Sequence, residues 1–297
     1  MWIERQSDRR LSVIVAIAAG VWGLYWLPLR AVESHGVANA WSVALFSACP
    51  IAVLIPYFLF FGRNQFRRLR EIALIGIFTG TGISFYAIGL VESGVVRATM
   101  LFYLTPVWST LIGYFWLSER FNPGRIAAIV FGLAGLYLLL SERDTELAPL
   151  NVGDLFALFS GAAWGLGAAC LKKWPEIPVP ATACVQFAAA ALVSALAAAV
   201  IFSDPFPSAQ AIILAIPVAF IPAALILLPS VLIIFRVSKL LFPGRVGILM
   251  MSEVLVVIFS AWILIPEEKL TAWQWVGACL IISSGLVDVF STISRRR

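Results

Sequence analysis

The sequence predicts an all-α integral membrane protein: ten transmembrane helices arranged as two inverted five-helix repeats around a central cavity, with both termini cytoplasmic. Three observations carry that prediction. The first is composition: of 297 residues, 61% are hydrophobic and only 12% charged, and mean hydropathy is +0.96. A soluble domain averages about 25% charged residues. The second is segmentation, because the chain divides into ten apolar runs near the roughly 20 residues needed to cross a bilayer. The third is internal repetition, which fixes architecture before any single element is considered. Val21-Trp22-Gly23-Leu24 is echoed by Ala163-Trp164-Gly165-Leu166, with Arg30 and Lys172 each eight residues after the tryptophan. Arg97 aligns with Arg245, Tyr103-Leu104-Thr105-Pro106 with Met251-Ser252-Glu253-Val254, and Glu119 with Glu267, without a gap.

The spans are read at 11–30, 41–61, 71–91, 96–117, 123–140, 153–171, 181–202, 210–235, 245–265 and 272–292. Residues 1–140 form the first repeat, 141–152 an outside connection, and 153–297 the second repeat. An odd number of spans per repeat inserts the second copy upside down, the plan of many secondary transporters. Charge sets the orientation. A cytoplasmic N-terminus places 17 of the 21 Lys and Arg residues on the cytoplasmic side and leaves Arg30, Arg97, Arg143 and Lys269 outside. That is the positive-inside pattern. Arg295-Arg296-Arg297 then anchors the chain at anionic membrane lipids rather than nucleic acid. No cleavable leader is expected, since a full-length span follows the start with no small-residue cleavage site. The cysteines Cys49, Cys170, Cys184 and Cys279 all fall in apolar runs and read as small hydrophobes.

No loop is long enough to fold as a domain, so function resides between the spans, where polar groups are expensive. Glu253, about nine residues into span 9, stands out. It either binds a substrate amine or moves a proton, or else is a carboxyl neutralised and tied to its neighbours. Met250 and Ser260 share its face, and Ser252 falls in the same repeat-aligned segment. On span 4, Thr99, Tyr103, Pro106 and Thr110 share a stripe, which reads as cavity lining or as a polar seam. Pro106 cannot donate to the helix ladder, so it frees a carbonyl and kinks the span near mid-membrane.

Span 1 offers Trp22, Tyr25 and Trp26 at i, i+3 and i+4. Trp26 reads as interface belt or lipid contact, whereas Trp22 and its repeat partner Trp164 lie mid-span beside glycines. On span 3, Thr79, Gly82, Tyr86 and Gly89 share a face, with Tyr86 a cavity candidate. Gly76 with Gly80, and Gly161 with Gly165, mark close helix packing. Gln186 in span 7 reads as a packing hydrogen bond. Glu119, Glu267 and Glu268 read as caps for the helices that follow. Arg97 and Arg245 either snorkel to head groups or gate the two mouths. The substrate-binding candidates are therefore Trp22, Tyr25, Tyr86, Thr99, Tyr103, Trp164, Met250, Ser252 and Glu253, with Pro106 as kink. No cofactor or metal is implied. The single histidine, His35, lies in an outside loop, and no Ser/His/Asp, HExxH or metal pattern appears, so an enzyme is not expected.

These residues resemble a known family. The tryptophan–glycine pair of spans 1 and 6 is similar to the ten-helix, EamA-repeat transporters of the drug/metabolite transporter superfamily. So are the Tyr-Leu-x-Pro centre of span 4 and the Glu-Arg-Phe-Asn and Glu-Lys-Leu-Thr turns. Tyr103-Leu104-Thr105-Pro106 further resembles the YddG-type amino-acid exporters. The resemblance implies spans 1, 3, 4, 6, 8 and 9 around the cavity, alternating access, and export of amino acids or related metabolites across a bacterial inner membrane. Protons are possible coupling partners. Val254, where relatives often carry proline, implies a straighter span 9 than span 4. The rival reading is a multidrug exporter for lipophilic cations, which would use the same aromatic residues and acid.

Overall fold

The computed structural model describes residues 7–62, 65, 68–105, 107–108, 111–112, 123–140, 149–240, 249–250, 252–265 and 270–294. Pro106, Thr110, Glu119, Arg245, Glu267 and Glu268 lie outside the described residues. The described chain is helical throughout and contains no strand. The helices are α1 (Asp8–Trp22), α2 (Trp26–Glu33), α3 (Asn39–Phe61), α4 (Leu69–Glu92), α5 (Val95–Phe102), α6 (Pro123–Leu140) and α7 (Val152–Lys173). After these come α8 (Val179–Leu196), α9 (Ala209–Pro222), α10 (Leu228–Ser238), α11 (Ser252–Leu264) and α12 (Ala272–Ser294). Among the described residues, six stretches are long and apolar enough to cross a membrane: Arg9–Glu33, Asn39–Phe60, Leu69–Glu92, Val152–Leu171, Val179–Ile201 and Ala209–Val237. Ser252–Leu264 and Ala272–Ser284 are shorter apolar helices. Large apolar side chains such as Ile17, Phe60, Leu225 and Ile263 point outward, as a lipid solvent requires.

Four of the expected spans are not single α-helices, and in three of them the break has a local cause. Span 1 divides into α1 and α2 through the turn Gly23-Leu24-Tyr25. Pro28 lies in the first turn of α2, where its missing N–H costs nothing, and it leaves the carbonyl of Leu24 outside the helix ladder. Span 4 is interrupted after Phe102 by the turn Tyr103-Leu104 and is helical again at Thr105; Phe102 lies four residues before Pro106, the residue whose nitrogen would otherwise bond its carbonyl. Thr105 Oγ1 donates to the Phe102 carbonyl instead, at 2.6 Å. Span 8 runs from α9 to α10 through a π-helical segment, Ala223–Leu227, that follows Pro217 and Pro222. A second π segment of equal length, Ala197–Ile201, ends span 7.

Close packing follows the glycines. A Cβ on Gly80 would stand 2.3 Å from the Gln186 carbonyl oxygen, and one on Gly82 would stand 2.9 Å from the Trp164 nitrogen. Those contacts press α4 against α8 and α7. Gly135 of α6 approaches Gly277 of α12 in the same way, its Cβ position 2.6 Å from the Gly277 carbonyl oxygen. Between the first five and the last five spans, α4 pairs with α7, and span 1 with span 8; α4 pairs with α8, and α3 with span 8. Further pairs are α5 with α7, α1 with α11, α3 with α8, α5 with α11, and α6 with α12. Exchanging the two sets of five maps each of these pairings onto itself or onto another of them.

Candidate functional site

The breaks in spans 1 and 4 turn two chain segments toward one point between the helices. Trp22 ends α1, and Phe102 ends α5 beside the turn residue Tyr103. With Gly82, Ile83 and Tyr86 of α4, Trp164 of α7, and Met250 and Glu253 from span 9, Trp22 and Phe102 line a cavity of about 20 Å³. That volume holds about one water. Its aromatic wall is in contact with itself. Trp22 meets Trp164 edge-to-face with ring centroids 6.0 Å apart, and Tyr86 lies 4.9 Å from Phe102. A side chain at Gly82 would collide with the backbone carrying Trp164, so this glycine sets the width of the wall.

Glu253 is 97% removed from solvent. The Tyr103 hydroxyl lies 2.9 Å from its Oε2 and 3.2 Å from the Met250 carbonyl oxygen. This triangle satisfies either protonation state. An ionised Glu253 accepts the Tyr103 proton. A protonated Glu253 donates to the Tyr103 oxygen, and the hydroxyl proton then turns to the Met250 carbonyl. A buried polar network that is fully satisfied in both forms can gain and lose a proton without orphaning a partner. Behind it, the hydroxyl of Tyr86 bonds Thr99 Oγ1 at 3.0 Å, and Thr99 also donates to the Val95 carbonyl at 2.8 Å.

Of the residues named from sequence, Trp22, Tyr86, Trp164, Met250 and Glu253 come together at the cavity wall. Tyr103 is bonded to the carboxyl, and Thr99 stands behind Tyr86. Tyr25 is buried edge-on to Phe46 and does not line the cavity, and Ser252 donates to the Ala16 carbonyl at 2.8 Å, tying α11 to α1. Gly82 joins the wall, and so do Ile83 and Phe102, which the sequence reading passed over. Ile83 is one turn before Tyr86, and Phe102 precedes the break that exposes it. Both look like ordinary apolar helix residues until the kink is placed.

Three expectations change. Trp26, read as belt or lipid contact, is buried, and its Nε1 donates to Ser260 of α11 at 3.1 Å, while α2 packs against α3, α4 and α9. Arg97, read as snorkelling or gating, is paired: its Nη2 lies 2.7 Å from Asp154 Oδ2. Asp154 is buried at the first turn of α7, where it also accepts from the Ser93 hydroxyl and from the Asn151 backbone N–H at 2.9 Å. Asn151 Oδ1 accepts from the Asp154 N–H in return, closing a capping box. One carboxylate thus ties the end of α4, the start of α5 and the start of α7. Gln186, read as a packing hydrogen bond, is fully buried with neither amide atom paired among the described residues.

Apolar helices enclosing a carboxyl and aromatic rings define a multi-pass membrane protein of the transporter type. The chain belongs to the EamA-like transporter family, whose profile matches residues 10–141 and again 151–287, two repeats across the chain. It is 26% identical over 157 residues to the uncharacterized transporter YoaV of Bacillus subtilis (strain 168), covering 49% of this chain and 51% of that one. It is 24% identical over 112 residues to an S-adenosylmethionine uptake transporter of Rickettsia bellii (strain RML369-C), covering 37% of this chain and 38% of the relative. The corresponding protein of Rickettsia prowazekii (strain Madrid E) is 25% identical over 99 residues, covering 33% of this chain and 34% of the relative. These alignments span about half or less of the curated relatives' length. A solved crystal structure superposes over 98% of this chain and 99% of its own, with TM-score 0.61 at 21% identity, which shows the shared fold alone.

Proposed function

We propose that this chain is a secondary transporter that exports small zwitterionic metabolites, chiefly amino acids including apolar and aromatic ones, across a bacterial inner membrane. In this reading ten helices form two inverted halves with both termini in the cytoplasm, and one half rocks against the other. The reading rests on one observation above all: Glu253 and Tyr103 stand at an aromatic cavity between the helices that join the two halves. The carboxylate answers the substrate amine, and Trp22, Tyr86 and Trp164 supply apolar walls. The twinned pairings between the first and last five spans support the inverted arrangement. A cavity with room for about one water holds no amino acid, so substrate enters only after the walls part. Pro106, the break at Gly23–Tyr25 and the π segment of span 8 are the joints that would let them part.

The names of the Rickettsia relatives favour a second reading, uptake of S-adenosylmethionine. Its sulfonium suits an aromatic wall and its amino-acid head suits the same carboxylate.

The test is uptake into liposomes holding the purified protein, with and without a pH gradient, of labelled amino acids, S-adenosylmethionine and a lipophilic cation. Saturable uptake of several amino acids above empty liposomes is expected. Glu253→Gln keeps volume and hydrogen bonding; it is expected to lower uptake of amine-bearing substrates about tenfold or more, with an unchanged melting temperature. Transport of the lipophilic cation alone, or of S-adenosylmethionine alone, would replace the amino-acid reading.

A further inference from the structure

The indole N–H of Trp22 is a buried donor with no hydrogen-bond partner among the described residues. Trp22 is only 7% exposed, and it lines the same cavity as Glu253. A buried tryptophan N–H ordinarily finds an acceptor, and leaving it without one costs about 1–3 kcal/mol. Its ring contact with Trp164 explains its packing and leaves the donor unused. Nor does packing alone require an indole there, since a phenyl ring would present an apolar face without stranding a polar atom.

The backbone brings donor and acid close. Gly23, the residue after Trp22, packs directly on the main chain of Glu253: a Cβ there would stand 2.6 Å from the Glu253 carbonyl oxygen. The Trp22 donor and the Glu253 acceptor therefore flank one small space, on α1 and α11, helices that pack against each other. In an α-amino acid the ammonium and the carboxylate hang from the same carbon. A site with one donor and one acceptor side by side matches that head group and nothing smaller in charge content.

We propose that the Trp22 Nε1–H is the recognition group for the substrate carboxylate, working beside Glu253 on the amine, so that the pocket selects α-amino acids over amines that lack the carboxylate. This rests on the export reading above and deepens it: Trp22 serves as a polar selector and not only as an apolar wall. The lipophilic-cation alternative fits the donor poorly, because a cation without an acceptor leaves the N–H stranded in the bound complex as well.

The experiment compares L-phenylalanine with phenethylamine, which has the same ring and amine and no carboxylate. Each competes for uptake of labelled phenylalanine into liposomes carrying wild type or Trp22→Phe. In wild type, phenylalanine is expected to inhibit at least tenfold more strongly than phenethylamine, the size of one hydrogen bond to a charged group. In Trp22→Phe the ratio between the two is expected to collapse about tenfold. An unchanged ratio overturns the proposal. A second readout on the wild-type protein stands whether or not the variant folds: one indole N–H resonance should move when phenylalanine is added and stay when phenethylamine is added. If no indole resonance distinguishes the two, the proposal fails. If wild type takes up no amino acid while transporting another solute, the export reading fails first, a result separable from a lost ratio.

Discussion

The Tyr103 hydroxyl is bonded to Glu253, and it has a second acceptor, the Met250 carbonyl, to turn to. Tyr103→Phe removes that pivot while keeping the ring. A protonated Glu253 then loses its acceptor and an ionised one loses its donor, a cost of about 1–3 kcal/mol. The expected result is a folded protein whose uptake no longer responds to an imposed pH gradient. A full gradient response in the Tyr103→Phe liposomes would place the proton path elsewhere. Glu253 was legible in the sequence because an acid inside an apolar run has few innocent explanations. Trp26 was not, because a tryptophan near the end of a span looks the same whether it faces lipid or donates to Ser260.

At the scale of elements, two contacts decide whether helices keep their places. Asp154 receives hydrogen bonds from Ser93, Arg97 and the Asn151 backbone. Asp154→Ala removes one half of the capping box, the bond from the Asn151 N–H, and leaves the Arg97 guanidinium, itself mostly buried, without its counter-ion. Breaking a buried pair from one side costs about 3–5 kcal/mol. A clear drop in the melting temperature of the detergent-solubilised protein is expected, with partial recovery in the double variant Arg97→Leu/Asp154→Ala. Equal stability of wild type and Asp154→Ala would reduce the pair to a surface contact. Gly80→Ala tests the α4–α8 seam, where the new methyl meets the Gln186 backbone and not a yielding side chain. A loss of about 1–3 kcal/mol is expected from such overpacking; a neutral effect would mean the two helices can separate freely. The small-residue spacing of Gly76 and Gly80 pointed to this seam, but nothing in the sequence named its partner. Asp154 escaped notice for a different reason: at the edge of an outside loop an acid reads as solvated, and only the fold delivers Arg97 to it.

Across the whole molecule, the apolar runs marked where each described helix lies, since bilayer length and backbone self-satisfaction leave few alternatives. What they hid were the interruptions. Pro28 lies close to the end of an apolar run and looks harmless, yet it sets the turn that places Trp22. The π segment of span 8 has no compositional mark beyond its two prolines. Of the candidate site residues, Trp22, Phe102 and Tyr103 gather where helical periodicity fails, whereas Tyr86 and Trp164 lie inside regular helices, so reasoning from periodicity found the walls more readily than the corners.

The tightness of the cavity has a bearing on cellular energetics. A path through the membrane wide enough for an amino acid would also short-circuit the ion gradients on either side, and a carrier present in many copies would drain them. Here Trp22 packs on Trp164 and Tyr86 on Phe102, and the cavity they line leaves room for about one water. If this narrow point is the barrier along the path, the unloaded protein acts as a plug. Vesicles containing it should hold an imposed pH difference nearly as long as protein-free vesicles when no substrate is present, as a trapped fluorescent pH indicator would report. Replacing Trp164 by alanine opens the plug and should shorten that time. If wild-type vesicles discharged as fast as the variant's, the contact among these rings would not be the barrier.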